Sequence, residues 1–144
     1  MAGRTRTADV VLLAERDGVP LLLAVRRAKP PFRAALALPG GFLEPGEHPL
    51  DAAVRELAEE TGIRLPRTAL RELGDYAAPG RDPRGPVTST AFHARLPTPP
   101  PPTAGSDAAG AAWVPLAEFL AGPTAFDHHD IVRDALRPTN GAPP

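Results

Sequence analysis

Apolar positions along this chain gather into short clusters separated by glycine, proline and charge. Asp9 to Glu15 (DVVLLAE) and Leu21 to Arg26 (LLLAVR) are nearly unbroken apolar runs of strand length. Asp17-Gly18 between them is a hairpin turn signal. Leu70 to Tyr76 and Val87 to Leu96 read as further strands, and Ala111 to Val114 as a short one. Pro49 to Thr61 (PLDAAVRELAEET) carries the helical period instead. Leu50, Val54, Leu57 and Thr61 share one face, Pro49 suits the first turn, and Gly62 stands where a left-handed residue would end the helix. Leu116 to Leu120 and Asp127 to Leu136 read as two more helices, and Arg26 to Ala35 as a basic, proline-containing loop. Pro97 to Pro102 is nearly all proline, so it predicts a stiff extended connector, with an SH3-type ligand as the alternative. Residues 1–7 and 138–144 are polar or rich in proline and glycine and are predicted to be disordered.

Composition narrows the picture only a little. A chain of 144 residues, 42% hydrophobic and 23% charged, predicts one globular domain with a single core. With a net charge of −1, nothing argues for a nucleic-acid partner, and none is expected. No apolar run is long enough for a membrane span and no secretory segment follows the start. The absence of cysteine excludes disulfides and thiolate metal sites and is compatible with the cytoplasm.

The chemistry concentrates in the first helix. Glu56, Glu59 and Glu60 project together at spacings of three and four residues. At about 6 Å and an effective dielectric of about 20, each pair repels by roughly 3 kcal/mol. The last helical turn is also the negative end of the helix dipole, and Arg55 can offset one of these charges at most. A hard divalent cation with oxygen ligands would remove both problems. A solvated acidic face is the plainer alternative. The preceding loop favours the cation. Pro39-Gly40-Gly41 and Pro45-Gly46 frame a turn whose glycines let backbone approach an ion or a phosphate, and Glu47 can reach back toward Arg55.

Gly41 to Ile63 reads G-x5-E-x7-R-E-L-x-E-E-x-G-I and resembles an intact Nudix box, the signature of hydrolases that cut a nucleoside diphosphate linked to another moiety. The resemblance implies an α/β fold: an α/β/α sandwich with a mixed sheet and the box as a loop–helix–loop. It implies Mg2+ (or Mn2+) held by Glu56, Glu59 and Glu60, with the Gly40 carbonyl as a further ligand. Arg55 would orient Glu56, Glu47 would steady Arg55, and Glu59 or Glu60 would act as general base.

Outside the box, three stretches resemble ADP-ribose pyrophosphatases and their ADP-ribose-sensing relatives: Arg26-Arg27 through Phe32-Arg33 to Phe42, Arg81-Asp82-Pro83-Arg84-Gly85, and Ala125-Phe126-Asp127-His128. They imply substrate contacts from Arg26, Arg27, Gly41, Arg81, Arg84 and His128. Guanidinium forks suit phosphate oxygens, although the second stretch also reads as a surface loop with an Asp82–arginine pair. Tyr76, Phe92 and Phe32 are candidates to stack on a base, each with a core role as the alternative. His129 is expected to be exposed and Trp113 to be core. Two positions depart from those relatives: Leu36 stands where they commonly carry Trp, and Gly110 where they often carry Glu, leaving Asp107 as the nearest acid. The expected reaction is metal-dependent hydrolysis of ADP-ribose to AMP and ribose 5-phosphate. Alternatives are oxidised nucleoside triphosphates, nucleotide sugars, or a non-catalytic ADP-ribose sensor, although sensors often have a damaged box and this one is whole. The expected partner is a small nucleotide, with a homodimer through sheet edges.

Overall fold

The computed structural model describes residues 5–103 and 108–137. Strands β1 (Thr5–Arg16) and β2 (Val19–Arg27) form the predicted hairpin about Asp17-Gly18, where both residues have positive φ. Short strands β3 (Leu36–Ala37) and β4 (Gly40–Phe42) follow, then helix α1 (Pro49–Thr61). Strands β5 (Arg71–Tyr76), β6 (Val87–Arg95) and β7 (Ala108–Pro115) lead to helices α2 (Leu116–Ala121) and α3 (His128–Leu136).

The sheet is mixed. β1 and β6 run parallel, and the pairs β1–β2, β1–β4, β2–β3, β2–β7 and β5–β6 are antiparallel. Alternation along the central strands feeds two cores, because successive side chains point to opposite faces. Val10, Leu12 and Leu23 pack on Ala52, Ala53 and Leu57 of α1. Val11, Leu13, Leu22 and Ala24 pack on Phe119 of α2 and Ile131 and Val132 of α3. That is the expected α/β/α sandwich. A strand covered on both faces must be apolar at nearly every position, which is why the segment from Val10 to Ala14 shows no alternation in sequence.

The β1–β2 hairpin opens as a fork. The strands pair directly only from Leu13–Leu22 to the turn. Below that level, β4 takes the side of β1 at Thr7 to Asp9, while β3 takes the side of β2 at Val25 and Arg26. The backbone between β3 and β4, Leu38-Pro39, bridges the two arms.

Helix α1 is built as its sequence predicts. Pro49 opens it, and the His48 side chain accepts the Leu50 amide at 3.1 Å as the cap. Gly62 ends it at φ 74°, a left-handed conformation that costs a glycine little. Leu57 and Thr61 of the predicted face are buried with Ala52 and Ala53, and Leu50 and Val54 lie half-buried at its margin.

Several expectations change. Thr5 to Thr7 are ordered within β1, held by parallel pairing to Val87–Ser89 and by the hydrogen bond from Arg6 to Thr90, so the expected disorder of 1–7 does not extend to them. The remainder of that segment, residues 138–144 and Asp107 lie outside the described residues. Ala111 to Val114 is the middle of a longer strand, because the whole of Leu21 to Arg27 in β2 offers it partners. The proline connector is pinned rather than presented: the Trp113 indole donates to Pro100 O at 2.7 Å, and the Thr103 amide to Thr61 O at 2.7 Å. His129 is half-buried with Nε2 2.8 Å from Leu120 O, not exposed. Trp113 sits half-buried against the α1-side core.

Candidate active site

The fork holds a cavity lined by Thr7 and Asp9 of β1, Val25, Arg26 and Arg27 of β2, Gly40 to Phe42 of β4, Glu60 of α1, Arg81, Asp82 and Arg84 of the β5–β6 loop, and Phe126 and His128 at the start of α3. Asp9 and Glu60 come from the β1–α1 arm together with Phe42 of β4. The basic groups come from β2 and from the β5–β6 loop, which also carries Asp82, and Phe126 comes from the segment before α3.

On the acidic side two glycines leave room, Gly40 for β4 against β1 and Gly41 for α1 against β4. A Cβ at Gly40 would overlap Ala8 O and the Asp9 carboxylate, and one at Gly41 would fall on the Glu56 carboxylate. Neither glycine has positive φ, so close packing rather than backbone freedom requires them. Glu60 Oε1 accepts the Gly40 amide at 2.7 Å. Burial, and then the neighbouring Glu56 and Asp9, outweigh that bond and push the Glu60 carboxyl up to about 8.

Arg55 is shared more widely than one charge for one. Its guanidinium makes a fork with Glu47 at 2.8 and 2.9 Å and donates to Phe42 O at 3.1 Å. It also lies 3.6 Å from Glu56 and 3.4 Å from Glu59. The fork with Arg55 holds the Glu47 carboxyl down at about 2. Glu47 is thereby committed to Arg55, and the two tie the β4 loop to α1. Glu59 turns outward with 56% of its side chain exposed.

Among the described residues no group of three acidic or histidine side chains is arranged to cage a cation as it stands. The donor chemistry still suits a hard divalent ion: carboxylate oxygens of Glu56 and Glu60 beside glycine backbone, with one carboxyl driven toward its neutral form by burial and by the neighbouring Glu56 and Asp9.

The substrate candidates divide. Arg27 lies over the Phe126 ring at 4.9 Å and donates to Pro31 O, and Arg26 donates to Ala34 O, so both brace the 28–35 loop along the cavity. Arg81 is 4% exposed and makes a fork with Asp127 at 2.6 and 2.9 Å, which locks the β5–β6 loop onto α3. Arg84 pairs with Asp82, whose side chain is 1% exposed, and its guanidinium stands between Phe42 at 5.1 Å and Phe126 at 5.5 Å. Arg84 thus lines the cavity and pairs with Asp82, and that pair is seated on a buried carboxylate rather than in a surface loop. His128 is buried. Its Nδ1 accepts the Leu38 amide at 2.9 Å, which leaves Nε2 to carry the proton, 3.6 Å from Asp9.

Of the stacking candidates, Phe92 is core and Tyr76 is turned away to donate to Asp134 at 2.7 Å. Phe32 remains near the site, edge-on to Phe126 at 5.0 Å. Sequence reasoning did not single out Asp9, Phe42 or Phe126. Asp9 is buried, accepting from Ser89 and facing His128. Burial pushes its carboxyl up, but His128, Ser89 and Arg81 pull harder and leave it below the usual range. An acid opening an otherwise apolar strand was its signal in the sequence.

The NUDIX domain family matches residues 3–135. The chain belongs to the Nudix family. It is 41% identical over 134 residues to the ADP-ribose pyrophosphatase of Methanocaldococcus jannaschii, covering 90% of this chain and 72% of that protein. It is 30% identical over 136 residues to the ADPR responsive transcriptional repressor NtrR of Acinetobacter baylyi, covering 93% of this chain and 54% of the repressor. Among solved Nudix structures, the NUDIX domain of Shewanella oneidensis NrtR complexed with ADP ribose superposes with a TM-score of 0.87 at 28% identity, covering 94% of this chain and 88% of that one.

Proposed function

We infer that this chain is a Nudix pyrophosphohydrolase that cleaves ADP-ribose to AMP and ribose 5-phosphate with a divalent cation, Mg2+ or Mn2+. The observation that carries this reading is one cavity with Glu60 and the Gly40-Gly41 backbone on one wall and Arg27 and Arg84 on the other, a charge pattern complementary to a cation–diphosphate pair. The 41% identity to a protein named ADP-ribose pyrophosphatase supports the substrate.

In this reading Glu56, Glu60 and the Gly40 carbonyl hold the cation, with Glu59 able to join them. The bound ion would stabilise charge on the phosphoryl oxygens and make water a better nucleophile. The protein's own residues do the rest. Gly41 lets Glu56 lie flat against β4, and the Arg55–Glu47 fork fixes the loop and helix so that the carboxylates keep their positions. Glu59, exposed and only loosely paired, takes the proton of the attacking water. Arg84 and Arg27 orient the diphosphate, with Arg26 at the cavity rim. Arg81 acts through Asp127 by holding the loop that carries Arg84. His128 holds the Leu38 backbone beside Gly40.

The partner is a small nucleotide; a homodimer, no nucleic-acid contact and a cytoplasmic location complete the proposal. The similarity to an ADPR responsive repressor favours one alternative, a sensor that binds without turnover. Purified protein incubated with Mg2+ and a panel of ADP-ribose, NADH, diadenosine polyphosphates, nucleotide sugars and 8-oxo-dGTP separates these readings. AMP and ribose 5-phosphate from ADP-ribose are expected. Pyrophosphate released from the triphosphate as the main product would overturn the substrate, and saturable ADP-ribose binding without products would favour the sensor.

A further inference from the structure

A second cavity of about 400 Å³ lies at the other end of β1 and β6, lined by Leu13, Ala69, Arg71, His93, Ala94, Arg95 and Ala135. Register explains the grouping. Arg71 of β5 faces His93 of β6 across the antiparallel pair, and Arg95 lies two residues on, opposite Leu13. Residues two apart on a strand, and residues directly opposite, share a face. Arg71, His93 and Arg95 thus stand on the α3 side of the sheet, beside Ala135 near the end of that helix. The catalytic cavity sits at Thr7 and Asp9, six and four residues back along β1 from Leu13, or roughly 13 to 20 Å at ~3.3 Å per residue.

Among the described residues, neither arginine has a carboxylate within ion-pair distance or a side-chain hydrogen bond. Arg55, Arg67, Arg81 and Arg84 each hold an acid at under 3 Å, whereas Arg71 and Arg95, both solvent-exposed, converge with His93 on one cavity. His93 is half-buried, and burial, then Arg71 and Arg95, push its imidazole below the ordinary value. Two unneutralised guanidinium groups and an imidazole around one cavity are the arrangement that an anion relieves.

We propose that Arg71, His93 and Arg95 form a second ligand site, separate from the catalytic cavity, which binds a phosphomonoester dianion. The two guanidinium groups take the phosphoryl oxygens and the His93 ring closes the side of the cradle. The cavity is large enough for more than inorganic phosphate, so the anion can carry an organic group. This site does not depend on the hydrolytic reading.

The test follows the four histidine ring resonances by NMR at fixed pH and ionic strength while inorganic phosphate, AMP or ribose 5-phosphate is added to the full chain. H93N assigns the His93 signal, and His128 reports separately on the catalytic cavity. Saturable movement of His93 with at least one of the three is expected, with affinity falling at least tenfold in R71Q/R95Q while His128 responds as before. Tighter binding of AMP or ribose 5-phosphate than of phosphate would identify the organic group the cavity accepts. No saturable His93 response to any of them, or an undiminished one in R71Q/R95Q, would overturn the site. Because the reading is binding at His93, the result stands whether or not the chain turns over ADP-ribose.

Discussion

Glu60→Gln tests the electrostatics of the acidic wall directly. In the cation-free protein the Glu60 carboxyl is pushed from 4.5 to about 8, so between those values the folded state holds a proton that the unfolded chain has released. A proton held in the folded state makes stability fall as pH rises, from the unfolded value of 4.5 until the folded group ionises near 8. Between pH 5 and pH 7 the loss is on the order of 2 to 3 kcal/mol. Glutamine keeps the oxygen that accepts the Gly40 amide and removes the ionisation, so the variant escapes that loss. At about 3 to 4 °C per kcal/mol, the melting temperature of Glu60→Gln should gain about 8 °C on the parent between pH 5 and pH 7 in EDTA. Thermal unfolding followed by circular dichroism in matched buffers measures it. Added Mg2+ should then reverse the order, stabilising the parent and leaving the variant unchanged. A gap that stays constant with pH, or a variant that gains as much from Mg2+ as the parent, would refute both the buried-carboxyl argument and the ligand role.

Other expectations follow from the same geometry. Glu56→Gln should fold and lose nearly all Mg2+-dependent turnover, measured as AMP release from ADP-ribose. Gly41→Ala should fold with activity down at least 100-fold, because its methyl group takes the space of the Glu56 carboxylate; near-parental activity would show that Glu56 can move without consequence. Arg84→Ala should raise KM for ADP-ribose more than it lowers kcat, and steady-state kinetics with an unchanged KM would detach the guanidinium from the substrate. Glu47 should stabilise the fold above pH 4.5 and lose that contribution as pH falls toward 2; acid unfolding of Glu47→Gln should accordingly show a flatter profile in that window than the parent.

What could be read in the sequence was local. The α1 boundaries followed from Pro49 and Gly62, residues whose backbone preferences act without any distant partner. The central strands were visible as apolar runs because both faces of the sheet are covered. The carboxylate spacing marked the catalytic helix for the same reason. What escaped depends on contacts between distant segments. Arg81 reads as a free phosphate ligand until Asp127, 46 residues away, closes on it. Glu59 and Glu60 are neighbours in sequence, yet one meets solvent and the other Gly40, a difference set by the docking of α1. β3 and β4 are too short to show a period, and only the parting of β1 from β2 gives them a place to pair.

That parting divides labour within the molecule. Groups assigned to bond cleavage ride on the limb formed by β1, β4 and α1, whereas much of the basic lining rides on the opposite limb with β2. Insertions or substitutions on the second limb can reshape which nucleotide is admitted while leaving the hydrolytic apparatus undisturbed. In the proposed reading, the gap between two separating strands keeps the groups that cleave separate from many of those that select.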